Sequence, residues 1–109
     1  MKSIWIGLFD AYDNELLEKS YSRVEVKLKD FSITTDGKQK TVKNKNKINL
    51  GLSINPWGVI HKVMLFENEH TNTPFVETPL NNPCRISSDT TVSIEAGKLV
   101  IKTDNDIFA

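Results

Sequence analysis

Cysteine is nearly missing from this 109-residue chain: Cys84 stands alone, so no internal disulfide can form. With two histidines beside it, a four-ligand structural zinc site of the usual Cys/His kind cannot be completed either. Long apolar runs are absent as well. The run Ile4 to Phe9 falls short of a signal-peptide core and far short of the roughly 20 residues that span a bilayer, so neither export nor membrane insertion is expected. No charge predominates: 14 Lys and Arg balance 14 Asp and Glu, which leaves no overall field to steer the molecule to nucleic acid or an anionic membrane. Helix formers are scarce, with Glu15 to Lys19 the one good row. Five residues are too few for a helix without tertiary support, and the segment reads as either a short helix or a strand.

What is present is a folding composition. Hydrophobic residues make up 39% and charged residues 26%, ordinary globular usage, and residues 1–109 suit a single domain with its own core. The apolar pattern repeats at two. Val24, Val26 and Leu28 alternate with charged residues, and Ile48, Leu50, Leu52 and Ile54 alternate with Asn49, Gly51 and Ser53, each the mark of a strand with one face on a core and one in water. Gly51 signals a bulge or a close backbone approach. Val92 and Ile94, then Leu99 and Ile101, flank Glu95-Ala96-Gly97-Lys98 and read as a C-terminal hairpin. Two denser segments, Ile4 to Phe9 and Val59 to Phe66, are expected to be central strands covered on both faces. Asn55-Pro56-Trp57-Gly58 and Asp36-Gly37 read as reversals. A faint echo links Ile6-Gly7-Leu8-Phe9-Asp10, a polar loop and Leu16-Leu17 with Val63-Met64-Leu65-Phe66-Glu67, a polar loop and Phe75-Val76. Two copies suit a pseudo-symmetric sandwich rather than a solenoid.

Groups able to do chemistry are few. His61 falls in a dense strand, where it faces an edge or bonds inside the core. Cys84, between Pro83 and Arg85, reads as a half-buried small residue at a strand start. Glu67, Glu69 and His70 gather in one loop and Asp10, Asp13 and Glu15 in another, without the ligand spacing of an EF-hand. No catalytic residue, metal or cofactor is therefore assigned. The stretch Lys38 to Lys47 has five lysines, no acid and no aromatic. It lacks the stacking groups of a sequence-tolerant nucleic-acid binder and is expected on an exposed loop or an edge strand, where lysines block edge-to-edge pairing.

The order of motifs goes further. Gly7-Leu8-Phe9, a polar loop and Tyr21-Ser22-Arg23-Val24 precede Ile54-Asn55-Pro56-Trp57-Gly58-Val59-Ile60-His61, which continues through Met64-Leu65-Phe66-Glu67. Phe75-Val76, Pro79-Leu80, Ser88-Asp89-Thr90-Thr91-Val92 and Ala96-Gly97-Lys98-Leu99 follow. This series, over most of residues 4–102, resembles a family of small bacteriophage virion proteins labelled tail-fibre or tail-associated proteins. The chain departs from that pattern in having Met64 where glycine is expected, Asn68 to Thr73 in place of a Gly-rich loop, and no amino-terminal helical segment. The resemblance implies a non-enzymatic virion surface protein, of the tail or a head decoration, made in the bacterial cytoplasm. Its partners would be other virion proteins and copies of itself, with a host surface ligand as a further prospect. A free-standing Ig-like module for carbohydrate or protein is the alternative.

The expected fold is an all-β antiparallel sandwich, Ig-like or jelly-roll-like, of about seven to eight short strands. Trp57, Leu65, Phe66, Leu8 and Phe9 are its expected core. Ile107 and Phe108, an apolar pair in the polar segment 104–109, are the expected assembly anchor.

Overall fold

Alternation at two, read along the chain, becomes nine antiparallel strands in a computed structural model that describes residues 3–103, apart from the side chain of Asn81. They are β1 (Ser3–Phe9), β2 (Val24–Lys27), β3 (Phe31–Asp36), β4 (Gln39–Asn44), β5 (Ile48–Ser53), β6 (Gly58–Phe66), β7 (Val76–Ile86), β8 (Thr90–Ile94) and β9 (Val100–Thr103). One sheet runs β2-β1-β6-β7, a second β3-β4-β9, and a third pairs β5 with β8. One buried cluster joins Ile4, Ile6 and Leu8 to Val42, Leu50 and Ile101, so the two smaller sheets together form the layer that faces the four-stranded one. This is an all-β sandwich. Its strands outnumber the seven or eight expected because the lysine-rich stretch is itself structured. Asp36-Gly37 closes a β3–β4 hairpin, with Gly37 at φ 62°.

The dense segments are the middle strands. β1 lies between β2 and β6, and β6 between β1 and β7. On β1, Ile4, Ile6 and Leu8 enter the core cluster, whereas Phe9 joins Met64 and Phe66 of β6 in a second buried cluster, with Trp5 packed against it. That second cluster lies on the other face of the sheet, as the period of two requires.

Four local expectations fail, each for a physical reason. The alternation of Ile48, Leu50, Leu52 and Ile54 breaks at Gly51, where the β5–β8 register slips at φ 118°. An extra residue at a bulge reverses which side chains face inward, so Leu52 is 50% exposed while Ser53 is fully buried. Ser53 takes the inward place by donating to Ser87 O and accepting from the Thr90 amide. Glu15 to Lys19 form neither helix nor strand, apart from a single bridge of Glu15 to Phe9. The lysine stretch is nowhere an edge strand, since β4 is the centre of its three-stranded sheet, with Val42 and Asn44 inward and Lys43 outward; Lys38 in the turn before it and Lys45 and Lys47 after it lie in exposed loop, as expected.

The expected C-terminal hairpin does not form. β8 pairs with β5 and β9 with β4, so the link between them passes from one sheet to another. Asn44, 3% exposed at the end of β4, holds that link in place. Its Nδ2 donates to Glu95 O (2.9 Å) and Asn46 O (2.8 Å), its Oδ1 accepts the Leu99 amide (3.0 Å), and its main-chain O accepts the Gly97 amide (2.8 Å). Residues 95–98 close a turn, with the Lys98 amide donating to Glu95 O (3.1 Å), and that turn is held on the Asn44 side chain while the strands on either side diverge into different sheets.

Trp57 closes one end of the sandwich at 4% exposure. Its amide donates to Ile86 O (2.9 Å), its Nε1 donates to Ser20 Oγ (2.9 Å), and Tyr21 packs edge-on against its ring, centroids 5.8 Å apart. A buried Trp replaced by Ala typically costs about 3–5 kcal/mol, much of a small domain's stability. Trp57→Ala is therefore expected to lower the urea midpoint sharply, and an unchanged midpoint would place this ring outside the core.

Candidate functional site

The most elaborate polar constellation lies over the outer face of the four-stranded sheet. It starts from Gly7. A Cβ there would stand 2.9 Å from Glu15 Oε2, 3.0 Å from Phe9 Cε1 and 3.1 Å from Phe66 Cε2. Without that carbon, the Phe9 and Phe66 rings stack across the gap at 5.9 Å, and Glu15 can fold over them.

Glu15 is then clamped from both sides. Arg23 Nε donates to Oε2 and Nη2 to Oε1, each at 2.9 Å, while the Tyr21 hydroxyl donates to Oε2 at 2.7 Å. The same hydroxyl accepts the Leu8 amide at 3.0 Å. Arg23 also donates from Nη1 to Thr71 O (2.6 Å), and its guanidinium lies 3.6 Å over the centre of the Phe66 ring, a cation–π placement. One arginine thus ties residues 10–23 and the loop after β6 to the aromatic surface between them.

The register shows why two loops meet here. β1 and β6 pair Gly7 with Met64, Leu8 with Val63 and Ile6 with Leu65, the arrangement generated by a local two-fold axis through the Gly7–Met64 pair. Beyond each strand the chain returns in the same way: the Leu16 amide donates to Leu8 O at 3.0 Å, and the Phe75 amide to Leu65 O at 2.9 Å. The faint echo in the sequence is this symmetry. The Gly-for-Met difference at its centre lets the Glu15 side fold inward.

Of the carboxylates that gathered in the sequence, Asp10, Asp13 and Glu15 are engaged structurally. Asp10 Oδ1 accepts the Tyr12 and Asn14 amides, and the Asn14 amide above all holds its carboxyl below the ordinary aspartate value. Asp13 pairs with Lys62, and Glu15 with Arg23. Glu67, Glu69 and His70 are exposed in the loop after β6, where Asn68 Oδ1 accepts the His70 and Thr71 amides. Among the described residues no group of three His, Cys, Asp or Glu side chains is placed to hold a metal ion. His61 is half-buried where the β6–β7 register slips. Cys84 is exposed within β7, opposite Ile60, rather than half-buried at a strand start. His61 and Cys84 thus sit on different strands, apart from the loop that carries Glu67, Glu69 and His70.

Two concavities among the described residues bear on function. A 570 Å³ hollow on the outer face has Phe9, Met64 and Phe66 as its floor and Asn14, Arg23, Asn72 and Glu77 on its rim. A 500 Å³ cleft of more apolar character opens between the layers, beside β7, β8 and β9, reaching down to Leu8, Leu50, Ile60 and Val63. Sequence reasoning missed both. The cleft arises from the crossing of β8 and β9 into different sheets, which the hairpin-like spacing concealed. Ile107 and Phe108 lie outside the described residues. Comparison with family models, with curated proteins and with solved structures finds no match for this chain.

The clasp makes a pH-dependent prediction. Burial pushes the Glu15 carboxyl up, but its bonds from Arg23 and Tyr21 outweigh this and hold it below the ordinary 4.5. A depressed folded value contributes stability above the unfolded value and loses it as pH falls through the folded one. Arg23→Gln leaves burial acting against the carboxylate, and is expected to cost about 2 kcal/mol at neutral pH. That cost should shrink as the pH falls below 4.5. Urea unfolding of both proteins at neutral pH and near pH 3 tests this; a difference that does not change with pH would show that Arg23 acts through packing alone.

Proposed function

We propose that this chain is a non-enzymatic structural protein of the bacteriophage virion surface, of the tail or a head decoration, acting through protein–protein assembly. The observation that carries the reading is the set of sheet margins: among the described residues β7, β8 and β9 each stand last in their own sheet, and all three border the apolar cleft. Strand edges carry unpaired backbone donors and acceptors that a neighbouring chain can complete. Symmetric particles repeat such contacts many times over.

The motif order from Gly7-Leu8-Phe9 to Ala96-Gly97-Lys98-Leu99 supports the virion assignment. The engagement of Asp10, Asp13 and Glu15 in loop architecture supports a role without catalysis. In this reading the chain is made in the bacterial cytoplasm and ends in the particle, where its partners are copies of itself and other virion proteins. A specific nucleic-acid partner has no place in it, because β4 carries no aromatic residue to stack beside its lysines.

One observation favours the alternative of a binding module for carbohydrate or protein. The outer-face hollow combines an aromatic floor with planar polar groups from Asn14, Arg23 and Asn72, the mix that suits a small polar ligand. Glycan-array binding that is lost in Asn72→Ala would favour that alternative.

Light scattering on the purified protein, with mass spectrometry of purified particles of the virus that encodes it, tests the assembly reading. A self-associating protein recovered as a regular particle component is expected. A strict monomer absent from particles would overturn it.

A further inference from the structure

β3 is the strand this fold protects least. Beyond Phe31 every residue of it is exposed, on both faces, and its pairing with β4 runs unbroken from Phe31 opposite Asn44 to Asp36 opposite Gln39. Among the described residues it stands last in its sheet, so its other long side is a margin. Margins that must not pair with another chain are ordinarily guarded by proline, lysine and other charges, or a bulge. Of the other margins, β2 sets Glu25 and Lys27 outward, β5 and β8 slip against each other at Gly51, and β7 carries Pro79 and Pro83. β3, Phe-Ser-Ile-Thr-Thr-Asp, has no such guard before its final residue. It is rich in β-branched side chains, which suit a paired strand, and it leaves Ile33 42% exposed.

The turn at its end fixes which backbone groups face that margin. Asp36 and Gln39 pair across Gly37 and Lys38, with Gly37 at φ 62°, a hairpin turn with glycine in the first central place. Asp36, Thr34 and Ser32 therefore exchange main-chain bonds with β4, while the N–H and C=O groups of Ile33 and Thr35 point to the open side.

A second copy of the same strand fits this margin. Antiparallel pairing about a two-fold axis keeps each side chain opposite one on its own face, which limits the longest overlaps to a register centred on Ile33 and one centred on Thr34. Centred on Ile33, the pairing sets Asp36 beside Asp30 of the other copy. It also calls on Phe31, whose amide already donates to Leu28 O. Centred on Thr34, it sets Ile33 of each copy opposite Thr35 of the other, so that each of these residues exchanges both of its bonds. Asp36 then stands opposite Ser32, Lys38 comes beside Asp30, and the two Ile33 side chains meet diagonally across the axis. Charge and hydrogen bonding select the same register.

We infer that β3 pairs with β3 of a second copy, antiparallel and centred on Thr34, joining the two three-stranded sheets edge to edge. The inference rests on the assembly reading above and supplies its self-contact. A two-fold contact closes on itself, which leaves the cleft to other virion proteins.

Two changes in the full-length protein test the pairing. Thr35→Pro removes a donor on the margin and no bond to β4, and Ile33→Lys brings like charges together across the axis. The native protein is expected to be a dimer by light scattering at concentrations where each variant is a monomer, the dissociation constant rising at least about tenfold. Urea midpoints close to the native one, measured below the association range, check that the variants fold. Disulfide trapping in a Cys84→Ser background reads the register without disturbing the margin. Thr34→Cys sets its two sulfurs on a directly opposed pair without main-chain bonds, where Cβ atoms come closest, and should link into dimers about tenfold faster than Ile33→Cys or Thr35→Cys. Dimers that persist in both margin variants, with Thr34→Cys failing to link, would overturn the inference and leave the assembly reading standing on another contact. Fastest linking through Ile33→Cys would overturn the register. A strict monomer that is still found in purified particles would remove this contact alone, and a strict monomer absent from particles would remove the reading itself.

Discussion

The architecture turns on one buried amide. A primary amide taken out of water must recover its hydrogen bonds inside the protein or lose stability, and Asn44 recovers them from the segment that joins β8 to β9. Residues 95–98 still close a turn, but that demand draws the turn onto Asn44 and keeps β8 and β9 from pairing beyond it. Once the link passes around Asn44, β8 must continue the sheet of β5, and β9 that of β4. The second layer is then two sheets rather than one, and a cleft with open margins lies where a continuous sheet would have closed it. A polar side chain in the core thereby sets topology, and the topology sets the surface through which the protein is proposed to assemble.

The opposite face of the four-stranded sheet solves a different problem. Strands as apolar as β1 and β6 need cover on both sides, and among the described residues the single helical turn, Leu28–Asp30, is too short to provide it. Two loops supply the cover, pinned by Arg23 through Glu15, Thr71 O and the Phe66 ring. The pin needs the missing side chain of Gly7, so a backbone choice in the middle of a strand decides whether an ion pair some residues away can form. Local two-fold symmetry about Gly7 and Met64 places the loops; the difference between those two residues decides which of them folds over the rings.

Much of this was legible from periodicity, because burial on a pleated surface follows the period of two closely. β1, β2, β5, β6 and the Gly37 reversal all follow from it. What escaped were features set by tertiary partners. The Gly51 bulge was signalled by glycine, but its consequence, Ser53 inward and Leu52 outward, depends on the partner strand β8. Val92 to Ile101 has hairpin spacing, and only the distant Asn44, which nothing in its own neighbourhood marks as buried, overrides it. Of the Arg23–Glu15 pair, Glu15 lay in the segment read for its helix formers and Arg23 at the head of an alternating strand, and Arg23's partners in the 67–75 loop are backbone carbonyls that carry no sequence signal. The cleft follows from the crossing and was hidden with it.

The crossing can be read at a single amide. In a β8–β9 hairpin, the Leu99 amide would find main-chain or solvent partners that owe nothing to Asn44, whereas here it donates to the Asn44 side chain. Hydrogen exchange at Leu99, followed by NMR in the native protein and in Asn44→Ala under conditions where both remain folded, separates the two. Slow exchange at Leu99 in the native protein, with protection lost selectively in the variant while β1 and β6 stay protected, is the predicted result. Equal protection of Leu99 in both proteins would contradict the crossing and, with it, the open cleft.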